Sequence, residues 1–442
     1  MLLNEFKNKK ILILGFGREG RDTFRFLRKL FPKKILAVAD RLEFKKLDEK
    51  AQKLIQHENT SRAIRLHLGE NYLKALKDYD VIIKSPGIPF KILPKAVLKK
   101  VTTQTEIFFD NCQGKIIGIT GTKGKSTTTS LIYKILKEAG FRVHLVGNIG
   151  KPVLNLLFSD RPNDVYVYEL SSHQLYNLKK SPQIAVFLNI YPEHLDYYRG
   201  FKEYISAKAN ITRYQTKKDY LIFNSGDKIV REIAKKSKAK KIPIPTNYEF
   251  LTNIRIPLVV NLQNVMAAVA VGRIFGIPDK KIIQAIKKFK PLPHRLEYVG
   301  TFKGIKFYND ALSTIPKTTI AALDALGEKV ETIFLGGFDR GLDFKNLAKR
   351  VLKSKIKNLI LFPTTGEKIW REIVSLKKNN KFKAFLVQNM RDGVKLAYQY
   401  TKKGKICLLS CASTSFSIFR DYKEKGNLFK KYVRKLAHEK IS

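Results

Sequence analysis

Short, unbroken apolar runs alternate along the chain with amphipathic stretches. Over residues 1–110, Ile11-Leu12-Ile13-Leu14, Ile35-Leu36-Ala37-Val38 and Val81-Ile82-Ile83 carry no polar side chain. Strands buried on both faces of a parallel sheet need that pattern. Between them, Arg18–Leu30 and Glu43–Gln56 space their apolar residues as helices do. The alternation predicts a small doubly wound βαβ domain.

The rhythm continues downstream. Strands are predicted at Ile116–Ile119, Val143–Val146, Val165–Tyr168, Ile184–Leu188 and Tyr220–Phe223, with helices at Thr127–Ala139 and Phe201–Arg213. The proline-bearing Ile242–Pro257 stretch reads as an irregular connection, and helices at Leu262–Phe275 and Asp279–Lys287 close the segment. Pro291-Leu292-Pro293 marks a boundary. Beyond it come a hairpin (Leu296–Val299 and Ile305–Tyr308 around Gly304) and strands at Thr332–Leu335, Leu359–Phe362, Ala384–Val387 and Ile406–Leu409. No internal repeat is visible.

Composition narrows the class of molecule. The 442 residues hold 85 Lys+Arg against 38 Asp+Glu, a net charge of +47. Such a balance invites a nucleic-acid reading. The lysines are spread in pairs such as Lys33-Lys34, Lys179-Lys180 and Lys402-Lys403, with no long basic block. Solvated basic faces that steer anionic small substrates are therefore preferred over a specific nucleic-acid partner. No apolar run approaches the roughly 20 residues of a membrane span. Ile11–Gly17 is too short for a signal peptide. Cys112, Cys407 and Cys411 support neither a disulfide framework nor a zinc site. A cytoplasmic protein without membrane insertion is expected.

Two glycine turns carry chemistry. Gly118-Ile119-Thr120-Gly121-Thr122-Lys123-Gly124-Lys125-Ser126-Thr127 follows a strand and opens a helix. There, backbone N–H groups and the helix dipole converge on phosphate oxygens. Lys125 reaches the β- and γ-phosphates, and Ser126 or Thr127 can ligate magnesium. Gly118 to Gly124 is one residue longer than the general P-loop, so Gly121–Ser126 is its tight core. The second turn, Gly15-Phe16-Gly17-Arg18-Glu19-Gly20, is followed by Asp40 at the end of the next strand. That spacing suits a dinucleotide. With no dehydrogenase chemistry beside it, a diphosphate-sugar nucleotide fits equally well.

The expected architecture is α/β, with three consecutive domains. An N-terminal Rossmann-like nucleotide-binding domain covers 1–110, a central P-loop ATPase-type domain 111–294, and a C-terminal Rossmann-like domain 295–442. Glu169 ends a predicted buried strand before the polar Ser171-Ser172-His173-Gln174, a setting suited to a magnesium ligand. His194 and Lys208 cannot be raised above ordinary residues by chemistry alone.

Taken in order, Gly121–Thr127, Asn148-Ile149-Gly150, Glu169-Leu170-Ser171-Ser172, Asn189, Glu193-His194-Leu195-Asp196, Lys208, Asn261, Asn264, Leu292-Pro293-His294-Arg295 and Asn309-Asp310 resemble the Mur ligases. These are ATP-dependent amide-forming enzymes of peptidoglycan precursor synthesis, and so of cell-wall biogenesis, cell shape and division. The resemblance covers nearly the whole chain. It is closest to the glutamate-adding branch, because Leu408–Phe416 with Phe419, Tyr422 and Gly426-Asn427 is similar to that branch's C-terminal end.

The resemblance implies roles for particular residues. Gly121, Thr122, Lys123, Gly124, Lys125, Ser126 and Thr127 would bind ATP, with Asn264, Arg295 and Asp310 around its adenosine. Ser126, Glu169, His194 and Lys208, the last as a carbamate, would hold two magnesium ions, and Lys125, Lys208 and His194 would be catalytic. Gly17, Arg18, Asp40, Arg41, Ser85, Gly87, Asn148, Ser171 and Gln174 would bind UDP-N-acetylmuramoyl-L-alanine. Arg340, Ser415, Phe416 and Tyr422 would bind glutamate. The implied reaction adds D-glutamate through an acyl phosphate, by a monomer.

Three departures from the family pattern stand out. Lys123 replaces an asparagine. Ala311-Leu312-Ser313-Thr314 lacks the usual lysine after Asp310. Arg340 stands for the lysine that contacts the glutamate carboxylate, keeping its charge and altering its geometry. These leave L-glutamate, or another amino acid, as an alternative acceptor. A basic P-loop protein acting on nucleic acid is the more distant one.

Overall fold

Nearly all of the apolar runs become strands of three sheets. The computed structural model describes residues 1–59, 63–150, 152–194, 197–245, 261–289, 292–377 and 382–439. The first sheet holds β1 (Ile11–Leu14), β2 (Leu36–Asp40), β3 (Ile64–Leu68), β4 (Val81–Lys84) and β5 (Val101–Thr102). Their order is β3-β2-β1-β4-β5, all parallel. The second holds β6 (Lys115–Thr120), β7 (Val143–Gly147), β8 (Val165–Glu169), β9 (Ile184–Phe187), β10 (Tyr220–Phe223) and β11 (Lys240–Pro243), in the parallel order β11-β10-β9-β6-β8-β7. The third holds β12 (Glu297–Phe302), β13 (Ile305–Asn309), β14 (Val330–Gly336), β15 (Asn358–Phe362), β16 (Lys383–Leu386) and β17 (Ile406–Leu409). Its order is β12-β13-β17-β14-β15-β16, parallel except for the β12–β13 hairpin.

The unbroken runs are central strands: β1, β9 and β17 are buried at every residue. Three strands escape the sequence pattern. In β3, Arg65 and His67 alternate with apolar residues because the strand lies at a sheet edge. β5 has only two residues. β11, also at an edge, is mostly exposed and ends on Pro243, so the connection expected from Ile242 begins as a strand. The helix expected over Glu43–Gln56 starts at Glu49 instead. Asp48 accepts the Ala51 N–H at 3.0 Å and stops it from extending backwards. Helices at Gln104–Asn111 and Lys228–Lys236 were not anticipated. Residues 246–257 and Pro291 lie outside the described residues.

The described residues form two compact units, the first up to residue 289 and the second from 292 onward. Within the first unit a single apolar cluster runs from Phe24 and Phe26 through Phe108 and Phe109 to Tyr166 and Tyr168, so its two sheets share a core. In each sheet the chain reverses direction of travel beside a central strand. Such switch points open a crevice at the carboxyl ends of the strands.

Candidate active site

At the carboxyl end of β6 the chain turns at Gly121 (φ +155°) and Gly124 (φ +86°) and enters the Lys125–Glu138 helix. A Cβ on Gly124 would sit 2.5 Å from Asn264 Oδ1, so the turn and Asn264 are in contact. Asn189, beyond β9, brackets the loop. Its Oδ1 accepts from Lys123 N at 2.8 Å, and its Nδ2 donates to Lys123 O at 3.0 Å. Lys125 Nζ donates to Gly121 O and Thr122 O at 2.9 and 3.0 Å. Lys123, the departure from the family pattern, pairs with Glu193 Oε1 at 2.6 Å. Burial works against the Glu193 carboxylate, yet the Lys123 hydrogen bond outweighs it and lowers its pKa.

Lys208 lies on the Phe201–Arg213 helix and is fully buried. Its Nζ donates to Gly121 O at 2.8 Å, directly under the phosphate loop. Burial, with the Lys125 charge adding to it, holds its pKa well below the ordinary lysine range. That favours the neutral amine, the form able to add carbon dioxide and become a carbamate. Buried Glu169 ends β8 in register with Ile119 of β6, and both it and Glu193 act electrostatically on Lys208. His194 is half exposed with φ +58°, and its ring stands 4.8 Å from that of His173. Leu195 and Asp196 of the same motif lie outside the described residues.

The other glycine turn follows β1. Asp40 accepts from Phe16 N at 2.7 Å and Leu42 N at 2.9 Å, holding the turn closed. Ser85, after β4, donates to Gly15 O at 2.9 Å. Gly17, Arg18, Arg41 and Gly87 are exposed around it. Arg18 donates to Gly150 O, and with Glu19, Gln104, Gly147 and Asn148 it lines a cavity of about 170 Å³. Burial pushes Glu19 up to about 7, against its hydrogen bond with Gln174, and pushes Lys84 down to about 7. Ser171 and Gln174 form a capping box for Ser172–Leu175, and Gln174 Nε2 reaches Glu19 Oε1 at 2.9 Å. The polar cluster after β8 is thus also a local helix start.

In the second unit Asp310 follows β13. It accepts from Ser410 Oγ at 2.8 Å and Leu296 N at 3.1 Å. Burial outweighs these bonds and the Arg295 charge, raising its pKa to about 6. Arg340 and Phe416 come together, with the guanidinium carbon 5.8 Å from the ring centre, and Phe338 N donates to Thr414 O at 2.8 Å. Ser415 is buried close by in the chain, and its hydroxyl makes no hydrogen bond among the described residues. Tyr422 packs edge-on to His294 at 5.9 Å.

Several residues at these sites carry no sequence signal of a role. Asn189, Tyr204 (hydroxyl 2.9 Å from Thr122 Oγ1) and Lys84 were given no role. Lys425, 1% exposed, carries an Nζ without a hydrogen bond among the described residues. Only a buried position marks it, and no local pattern shows that.

The Mur ligase middle domain matches residues 119–249. UDP-N-acetylmuramoylalanine–D-glutamate ligase of Acetivibrio thermocellus is 34% identical, over 98% of this chain and 99% of that protein. The enzyme of the same name from Clostridium acetobutylicum is also 34% identical, with the same coverage. Among solved structures, UDP-N-acetylmuramate-alanine ligase MurC of Thermotoga maritima aligns with a TM-score of 0.60 at 15% identity, covering 97% of this chain and all of that one. MurF ligase of Thermotoga maritima, in complex with ADP, aligns with a TM-score of 0.58 at 15% identity, over 98% of each chain. These structures share the fold. With a third of its residues identical over almost its whole length, the chain belongs to the UDP-N-acetylmuramoylalanine–D-glutamate ligases, a branch of the Mur ligase family.

Proposed function

We propose that this chain is an ATP-dependent ligase joining D-glutamate to the L-alanyl carboxylate of UDP-N-acetylmuramoyl-L-alanine in cytoplasmic peptidoglycan precursor synthesis. The observation that carries the reading is the convergence, at the carboxyl ends of β6 and β8, of the phosphate loop, the strand-end Glu169 and the buried Lys208. The Gly15–Gly20 turn with Asp40, Arg41, Ser85 and Gly87 takes the uridine diphosphate. Asn148, Ser171 and Gln174 take the muramoyl-alanine portion. Asn264, Arg295 and Asp310 take the adenosine of ATP, and Arg340, Ser415, Phe416 and Tyr422 take glutamate. Domain limits of 1–110, 111–294 and 295–442 follow from this division, and the chain acts as a monomer.

The donor set fits magnesium, which favours oxygen ligands. Ser126 offers a hydroxyl, Glu169 a buried carboxylate and Lys208 an amine poised for carbamylation, with His194 at the rim. Those residues would hold two ions, which when bound neutralise the meeting anions.

The chain's own groups do the rest. The substrate carboxylate attacks the γ-phosphorus of ATP, ADP leaves, and an acyl phosphate remains. The glutamate amine attacks the acyl carbon, and the tetrahedral adduct expels phosphate. Lys125 and the loop N–H groups stabilise the charge that develops on the transferring phosphoryl group. Arg340 orients a glutamate carboxylate through paired N–H donors.

The test is ADP release with UDP-N-acetylmuramoyl-L-alanine, ATP and magnesium, comparing D-glutamate, L-glutamate and no amino acid. Turnover with D-glutamate alone is expected. Turnover with L-glutamate alone would move the acceptor assignment, and silence with both would overturn the substrate reading.

A further inference from the structure

Tyr197 lies outside the residues assigned to the substrates, yet it touches both halves of the donor-substrate site. Its single hydroxyl proton is shared between Pro86 O and Ile88 O, each 2.9 Å away. Both acceptors lie in the loop after β4 that carries Ser85 and Gly87, on the first sheet. Lys84 Nζ also donates to Ile88 O, at 2.8 Å, whereas Pro86 O depends on the tyrosine among the described residues. At its other end Tyr197 N donates to His194 O at 3.0 Å, joined by Tyr198 N at 3.3 Å. These bonds hold a histidine whose φ of +58° is unusual for a residue with a side chain. The Tyr197 ring stands edge-on to His173 at 4.2 Å, and His173 stands edge-on to His194 at 4.8 Å.

Core packing alone does not account for this arrangement, since phenylalanine would fill the same space. The hydroxyl is aimed across the first unit at two carbonyls of a loop on the other sheet. We infer that Tyr197 is a positioning residue that locks the Ser85–Ile88 loop to the His194 turn, so that seating the uridine diphosphate also sets where the acyl group lies. The inference rests on assigning that loop to uridine diphosphate.

Two variants separate the two ends of the link. Tyr197→Phe keeps the ring and removes the hydroxyl bonds. Its Kd for UDP by calorimetry, and its KM for UDP-N-acetylmuramoyl-L-alanine, are expected to rise about 5- to 10-fold, the worth of one or two hydrogen bonds. KM for ATP, kcat and the thermal midpoint should stay near the parent's. Tyr197→Leu also removes the ring that backs His173, so kcat should fall a further order of magnitude, by about 10-fold, with UDP bound no more weakly than by Tyr197→Phe. Equal UDP affinity for the parent and Tyr197→Phe would overturn the link while leaving the nucleotide site intact. A uniform loss of every constant together with thermal stability would reduce Tyr197 to a packing residue and overturn it as well. A parent enzyme that binds no UDP would overturn the loop assignment, and this inference with it.

Discussion

Replacing Lys208 with methionine should make the ligand-free protein more stable and nearly inactive. Methionine matches the length of the lysine stem and can lie in the same apolar channel. The parent keeps an amine that is 1% exposed, satisfied by Gly121 O at 2.8 Å and, more distantly, by Thr120 Oγ1 at 3.4 Å. A buried lysine must give up its hydration or its proton, a cost on the order of 1–4 kcal/mol that methionine of similar volume avoids. The lost hydrogen bond takes back about 1 kcal/mol. A net gain of about 1–3 kcal/mol at pH 7 is therefore expected in urea unfolding. The pH dependence identifies the cause. The folded-state pKa lies below the unfolded value, so between the two the unfolded chain binds more protons and the parent gains stability as pH rises. The methionine variant lacks that slope. Its advantage should shrink as pH climbs toward about 10.4, where the unfolded lysine also loses its proton. Turnover should fall about 100- to 1000-fold, as when a preorganised charge is removed. A variant less stable than the parent, or an advantage that does not change with pH, would refute the buried-amine argument.

Three further outcomes are expected. Gly124→Ala places a Cβ 2.5 Å from Asn264 Oδ1 at φ +86°; it should cost at least about 1–2 kcal/mol in thermal unfolding and raise KM for ATP. Asp310→Asn removes a carboxyl whose folded pKa, about 6, exceeds the unfolded value of about 3.9. The folded parent binds the extra proton between those values, so the group's contribution falls as pH rises through about 4–6. The difference in urea stability between variant and parent should therefore shift in the variant's favour by about 2 kcal/mol from pH 4.5 to 7.5; a constant difference would refute the shift. Arg340→Ala should raise KM for glutamate about 10- to 100-fold, with KM for ATP unchanged, as expected for losing a charged hydrogen bond.

What the sequence made legible follows from physical uniformity. Central parallel strands such as β1 and β17 are apolar throughout, so they stand out, and the glycine turns stand out because only glycine tolerates the φ of Gly121 and Gly124. Edge strands β3 and β11 were hidden by their charged faces. By its own chemistry Lys208 is an ordinary helix lysine; the family resemblance singles it out, and only tertiary packing buries it under Gly121. Tyr197 and Asn189 act through contacts far away in sequence, which no local spacing encodes. The Ser171–Gln174 cluster was noticed for its polarity, but its capping geometry was not, although Ser-x-x-Gln is the spacing such a box requires.

The core shared by the first two sheets bears on how such a chain can be recombined. Aromatic pairs straddle residue 110: Phe26 with Phe158 at 5.0 Å, Phe90 stacked on Tyr176 at 4.9 Å, and Phe108 against Tyr166 at 5.0 Å. A chimera joined at that point would inherit one half of each pair from each parent and would have to match their shapes at every contact. The described residues up to 289 are in that sense a single module for exchange between relatives, even though they carry two sheets and two glycine turns.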